Sequence, residues 1–200
     1  PAIQMQASGR LHAGEYALRA GMTPRDLIGD MAPGKVLQRY FTIVDGWSFA
    51  DLRRALDAVP TLTHDVADID NAELMKRLGA EGEDPEGRFL PETYAYVKGD
   101  SESAILKRAR GAMDKLLDGA WPGRAKDLPL ASPYEALILA SIVEKETGRA
   151  DERPRIAGVF VRRLEQRMLL QTDPTVIYGM GAAYTGNIHK SDLTTDTPYN

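Results

Sequence analysis

Between Ser132 and Gly148 the chain reads Ser-Pro-Tyr-Glu-Ala-Leu-Ile-Leu-Ala-Ser-Ile-Val-Glu-Lys-Glu-Thr-Gly. This run is too apolar for an ordinary surface helix and too short to cross a membrane. It therefore has to be packed inside a domain. Ser132 suits the N-cap, Pro133 the first helical position, and Glu135 the third position of a capping box. Gly148 suits the stop. Counting back from Glu146, positions three, four and seven residues earlier are Val143, Ile142 and Leu139, so this carboxyl shares a face with core residues. Burial and the negative end of the helix dipole would both disfavour its charged form, the state a general acid requires. A charged Glu-Lys-Glu trio is equally what a solvated helix end carries.

The rest of the chain narrows the choice. Hydrophobic residues make up 43% and charged residues 27% of 200 positions, with a net charge of −4. That balance suits one large or two small globular domains and gives no electrostatic case for nucleic acid. The absence of cysteine excludes disulfides and thiolate metal sites. His12, His64 and His189 lie far apart in sequence with no carboxylate at ligand spacing, so neither a metal site nor a cofactor is expected. No phosphate-binding glycine loop or nucleophile elbow is present.

A weak repeat at an offset of 25 residues organises the first sixty positions. Tyr16, Leu18, Gly21, Thr23, Asp26, Leu27 and Met31 match Phe41, Ile43, Gly46, Ser48, Asp51, Leu52 and Leu56. Each copy reads as a strand, a glycine turn, a Thr or Ser cap and an amphipathic helix. Pro60 closes this module. Residues 61–85 read as a polar, acidic connector with a short helix around Asn71–Leu78 that Gly79 stops. Residues 86–200 read as mainly helical. One helix opens at Ser101 or Ser103 and buries Ile105, Leu106, Ala109, Met113 and Leu116–Leu117. Another starts near Asp151 and Pro154, with Ile156, Val159, Phe160 and Leu164 inward. Arg153 or Arg155 is placed to pair with Glu144 or Glu146. The fold class expected is α+β.

Several motifs then occur in a fixed order. They are Glu86-Gly87-Arg88-Phe89-Leu90-Pro91-Glu92-Thr93-Tyr94, Ala140–Thr147, Glu152-Arg153, Val159–Leu164, Met168–Tyr178 and Thr197-Pro198-Tyr199-Asn200. The series closely resembles the endolytic murein transglycosylases, the YceG-like proteins. The resemblance is strong over residues 86–200 and looser before them. It implies a LysM-like, glycan-binding module at 1–60 and a lytic-transglycosylase-type catalytic domain from residue 86. It implies cleavage of the MurNAc–GlcNAc bond within peptidoglycan glycan strands, leaving 1,6-anhydro-MurNAc ends and limiting nascent strand length. It also implies an inner-membrane location facing the periplasm, an anchor preceding Pro1, and cell-wall synthases as partners. The family's catalytic domain continues past Tyr-Asn into a Gly-Leu-Pro-Pro loop and a further α/β segment, so its C-terminal part is expected to be missing here. A non-catalytic peptidoglycan-binding protein is the alternative, and a water-using muramidase a third reading.

Site residues follow from both lines. Glu144 and Glu146 diverge by about 200° on a helix, so they cannot clamp one bond from both sides as paired glycosidase carboxyls do. A lytic transglycosylase, as the resemblance implies, needs one acid. The pair Glu146-Thr147 resembles the Glu-Ser signature of other lytic transglycosylases, which favours Glu146 as catalytic over Glu144. Glu144 would then hold Lys145, an arginine or substrate hydroxyls. Tyr94, Tyr96, Tyr178 and Tyr199 can offer ring faces to sugars, and Glu92, Gln171, Asp173, Thr175 and Asn200 polar contacts. Buried tyrosines are often simply core, and Gln171-Thr172-Asp173-Pro174-Thr175 is also a good turn-and-cap sequence. Phe89 and Leu90 read as packing.

Overall fold

The first two helix starts are fixed by reciprocal caps. A computed structural model describes residues 11–199. Helix α1 (Pro24–Met31) is capped by Thr23 and Asp26, and α2 (Phe49–Asp57) by Ser48 and Asp51, each a full capping box. Such a cap is worth about 1 kcal/mol. Gly21 and Gly46 precede them with φ of 79° and 74°, a backbone region that side chains resist. The repeat is therefore real in its turns and caps. It fails in packing. Residues 39–42 form strand β1 (Arg39–Thr42), but the matching stretch of the first copy forms no strand. Leu18 there is 75% exposed, and α1 buries none of its residues, whereas α2 buries Phe49, Leu52 and Leu56. Without a neighbouring ladder an extended segment has no reason to become a strand.

The partner of β1 comes from further along. Strand β2 (Thr93–Tyr96) pairs with it antiparallel, with Phe41 opposite Tyr94 and Arg39 opposite Tyr96. Phe41, Tyr94 and Tyr96 face inward, while Tyr40 is 65% exposed on the other side. Beneath lies one core that includes Phe41, Leu52, Leu56, Leu62, Leu74, Met75, Phe89, Ile105 and Leu106. Phe89 stacks on Phe49 with ring centroids 5.3 Å apart, as its reading as a packing residue required.

Residues 61–85 are not a polar connector. Helix α3 (Asn71–Arg77) and its surroundings contribute Leu62, Val66, Leu74, Met75, Leu78 and Ala80 to that core. Their irregular backbone is organised by Arg53, whose guanidinium donates to the carbonyls of Val66, Ala67 and Ile69 at 2.7–2.9 Å. The compact units of the molecule run from Pro1 to Met113 and from Asp114 to Asn200, and so differ from the sequence divisions 1–60, 61–85 and 86–200.

Helix α4 (Glu102–Ala120) starts beside the 61–66 turn. Gly99 donates to Thr61, Thr63 to Asp100, and Glu102 back to Thr63, at 2.8–3.1 Å. Ser101 Oγ accepts from the Ala104 amide, as a cap should. Ile105, Leu106, Ala109 and Met113 are buried along one stripe, as their spacing predicts, but the stripe ends there and Leu116 is 52% exposed.

The second unit is built from α5 (Pro133–Glu146), α6 (Arg153–Glu165) and α7 (Asp173–Met180), with short 3₁₀ turns at Trp121–Gly123, Gly181–Ala183 and Asp192–Thr194. Leu139, Ile142 and Val143 of α5 pack with Phe160 of α6, flanked by Leu130, Ile156, Val161 and Leu170. The molecule is thus α+β: helices with one small two-stranded sheet. No helix among the described residues is long and apolar enough to cross a membrane.

One ion pair in the first unit couples the fold to pH. Glu102 is 1% exposed, and its Oε1 lies 2.6 Å from His64 Nδ1. Burial raises the Glu102 carboxyl above the usual range, offset in part by the bond from His64. That same bond, larger in effect than the opposing desolvation, raises the His64 imidazole. Both folded-state values lie above the unfolded ones, so the stabilisation is present at lower pH and is lost as pH rises through the raised values. The first unit should lose resistance to denaturant as pH rises through and above the ordinary imidazole range, read from its resolved amide signals in EDTA-containing buffer. His64→Gln should flatten that slope. An unchanged slope in the variant would assign the pH dependence to other groups.

Candidate active site

Helix α5 sets the geometry of the second unit's carboxylates. Ser132 caps it as expected, accepting from the Glu135 amide. The Glu135 carboxylate reaches past the cap to the Ala131 amide at 2.7 Å, so the box closes one residue further back than the sequence pattern implies. At the other end Thr147 leaves the helix in an extended conformation (φ −148°, ψ 136°), and the chain bends at Gly148 without a left-handed φ. The Thr147 hydroxyl donates to Glu152 and accepts from the Arg149 amide, locking the turn into α6.

The predicted phase of α5 holds: Leu139, Ile142 and Val143 are its buried residues. Glu146 itself is exposed, because it is the last helical residue and lies beyond the edge of the core that buries that face. Burial therefore does not act on it as the sequence pattern suggested. The helix is also less enclosed than its composition implies, with Ile138 46% exposed.

The two carboxylates diverge and have different partners. Glu144 is half-buried and paired with Arg153, Oε2 to guanidinium at 2.8 Å, one of the pairings the sequence allowed. Glu146 accepts a hydrogen bond from the Thr172 hydroxyl. Thr172 is 5% exposed and sits at the N-cap of α7, where a threonine would ordinarily accept from the helix's own amides. It makes no such cap. Its hydroxyl is spent on Glu146 instead.

The loop before α7 is held for this purpose. Arg163 of α6 donates through one nitrogen to the carbonyls of Leu169 and Leu170 and to Gln171 Oε1, at 3.1, 2.8 and 3.0 Å. Gln171 has φ of 52°, a conformation that a non-glycine residue holds only when its surroundings impose it. Thr175 donates to the Thr172 carbonyl at 2.9 Å. Gln171, Asp173 and Thr175 thus flank the Thr172–Glu146 bond, with Gln171 and Asp173 exposed.

Tyr178 and Tyr199 form an edge-to-face pair with centroids 5.2 Å apart, each nearly half exposed. Tyr199 also lies against Gly179, where an added Cβ would come within 3.0 Å of the ring's own Cβ. Asn200 lies outside the described residues. Glu92 and Tyr94 belong to the first unit. Glu92 is exposed and accepts from the Thr93 amide, but Tyr94 is 8% exposed, its hydroxyl donating to the Leu90 carbonyl at 2.7 Å. Tyr94 is a core residue there and has no free ring face for a sugar.

Sequence reasoning passed over Thr172 and Arg163. Thr172 was legible only as a cap, since Thr-Asp-Pro-Thr is an ordinary helix start. Its diversion to a residue 26 positions away leaves no local trace. Arg163 reads from the sequence only as one more charged position on an amphipathic helix.

Comparison with known proteins agrees with the order of the motifs. The family profile for the YceG-like family matches residues 2–200. A Bacillus subtilis protein named endolytic murein transglycosylase is 25% identical over 99% of this chain, and a Streptococcus pneumoniae protein of the same name is 32% identical over 58% of it. The chain spans 59% of the first relative and 21% of the second. The crystal structure of a yceG-like protein from Listeria monocytogenes superposes with a TM-score of 0.66 at 26% identity, covering 99% of this chain and 70% of that one. Matched along almost its entire length, the chain belongs to the YceG-like family.

Proposed function

We propose that this chain carries the acid–base centre of an endolytic murein transglycosylase, with Glu146 as the single catalytic group. The observation that carries the reading is the unequal treatment of the two carboxylates at the end of α5. Glu144 is neutralised by Arg153, while Glu146 is solvent-accessible and steadied by one hydroxyl. A carboxyl that must give and then take a proton has to stay free of a permanent cation. The relatives named endolytic murein transglycosylase support the reaction class.

In this reaction the Glu146 carboxyl protonates the glycosidic oxygen as the bond to C1 of MurNAc breaks. The resulting carboxylate removes the proton from the C6 hydroxyl of the same sugar, whose oxygen closes on C1. The products are a 1,6-anhydro-MurNAc end and a free GlcNAc hydroxyl, and no water is consumed. One carboxyl suffices because the two proton transfers follow one another at the same sugar. A glycan strand lying over the exposed end of α5 would exclude water from Glu146 during the step. Exposed Tyr178 and Tyr199 would give it apolar surface, and Gln171, Asp173 and Thr175 hydrogen bonds.

The same proposal extends to a LysM-like glycan-positioning role for residues 1–60, an inner-membrane protein facing the periplasm, cutting that limits strand length, and cell-wall synthases as partners. Intact sacculi incubated with the full-length protein, followed by mass spectrometry of the chain ends, test the reaction. Anhydromuramyl ends support it. Reducing ends would instead indicate a hydrolysing muramidase, and unaltered sacculi a binding protein.

Two variants test the residue roles in the full-length protein. Glu146→Gln should lower the release of anhydro products by at least about 100-fold while circular dichroism stays native, because the amide keeps the shape but delivers no proton. Near-normal release would transfer the role to Glu144. Thr172→Val should lower kcat by about tenfold with a smaller change in KM, since it removes the group that orients the acid. Thr172→Ser, which keeps the hydroxyl, should recover most of that loss. Equal damage from both substitutions would mean that Thr172 matters only for packing.

A further inference from the structure

The fold brings together what the sequence keeps apart. Asp57, the last residue of α2, His64 in the following turn and Glu102, the first residue of α4, each offer a ligand atom, and all three atoms lie within 4.8 Å of one another. His64 has carboxylates beside it after all, contrary to what linear spacing indicated. We propose that Asp57, His64 and Glu102 form a binding site for a divalent ion of the Zn²⁺ class, tying the end of α2 and the 61–66 turn to the start of α4.

Donor chemistry selects the class of ion. One imidazole with two carboxylates is a borderline nitrogen–oxygen set. It favours Zn²⁺ over Mg²⁺ or Ca²⁺, which seek oxygen alone. With ligands at about 2.0–2.2 Å, a tetrahedral ion holds them about 3.3–3.6 Å apart. That spacing falls between the 2.6 Å separating His64 Nδ1 from Glu102 Oε1 and the 4.8 Å that bounds the set. The site closes on an ion by opening one contact slightly and drawing Asp57 in. Asp57 is exposed and can move. His64 is 36% exposed at its side chain, which leaves an entry path, while Glu102 forms the buried floor.

Local charge points the same way. The carbonyl end of α2 at Asp57 favours a cation, and the amide end of α4 favours the Glu102 carboxylate. Asp57 and Asp65 both act electrostatically on Glu102, and Asp57 and Glu102 both act on the His64 imidazole. Asp65 is already engaged by the Ser103 amide and hydroxyl, at 3.1 and 2.5 Å, which leaves Asp57 as the available third ligand. The ion takes the place of the proton shared between His64 and Glu102 and releases it to solvent.

The test is a ZnCl₂ titration of the EDTA-stripped, dialysed chain, followed by the imidazole signals of its histidines and by thermal unfolding. A saturable 1:1 response confined to His64, with a Kd of about 10 μM or tighter, is expected. So is a rise of a few degrees in Tm at about 100 times the Kd. Asp57→Asn alters only an exposed ligand and should fold normally, yet weaken binding by about tenfold or more. His64→Gln should abolish it, and millimolar MgCl₂ should do nothing. Absence of a saturable response would make the cluster a hydrogen-bonded His–Glu pair only. Equal affinity in Asp57→Asn, or equal responses at His12 and His189, would show adventitious single-histidine binding. Either result overturns the site.

Discussion

The hydroxyl of Thr172 is the contact on which the proposed acid–base centre of the second unit depends. A threonine at an N-cap normally satisfies amides of its own helix, and giving that up costs about 1 kcal/mol. Here α7 starts uncapped by its side chain while the hydroxyl reaches the last residue of α5. The bond joins two helix termini, the places where helices are least rigid. It fixes a carboxylate that would otherwise have the rotamer freedom of any exposed glutamate. Local rules broken at a stability cost tend to mark sites kept for another reason. The left-handed Gln171 immediately before it is a second breach in the same place.

Both units solve their irregular backbone with one arginine. Arg53 gathers the carbonyls of residues 66, 67 and 69, and Arg163 those of 169 and 170 together with the Gln171 side chain. Carbonyls without a helical or sheet partner still need donors, and a guanidinium supplies several in a rigid plane. In the first unit the result is a core built through a stretch with little regular structure. In the second it is a loop held firmly enough to present Thr172. Neither role is visible in the residue alone, since each arginine looks like an ordinary charged position on an amphipathic helix.

What the sequence revealed follows a single physical divide. Interactions within about four residues were legible: the Thr23 and Ser48 caps, the Gly21 and Gly46 turns, the buried stripe of α4, and the inward face of α5. Interactions set by the tertiary fold were not. The first repeat copy lacks a strand because β1 found its partner at residues 93–96. The acidic stretch 61–85 joined the core because a few widely spaced leucines, with Met75, suffice to fill it. Tyr94 went inward with the rest of its strand face. Glu146 shares the apolar face, but lying on such a face is not the same as lying under the core. The His64–Glu102 pair spans 38 residues and has no sequence signature at all.

The two glutamates of α5 show why position at a helix end matters more here than burial. In mid-helix, residues two apart would point to different faces, and at least one would have to be solvated or paired within a packed surface. At the last turn both can reach beyond the helix, so each takes a partner from a different following element. Glu144 meets Arg153 at the start of α6, and Glu146 meets Thr172 at the start of α7. The charged partner gives a permanent ion pair. The hydroxyl gives orientation without neutralising charge, and it can serve either protonation state by turning, since it is donor and acceptor at once. The role proposed for Glu146, acid and then base within one cycle, suits such a partner, whereas an arginine in that position would favour the charged carboxylate.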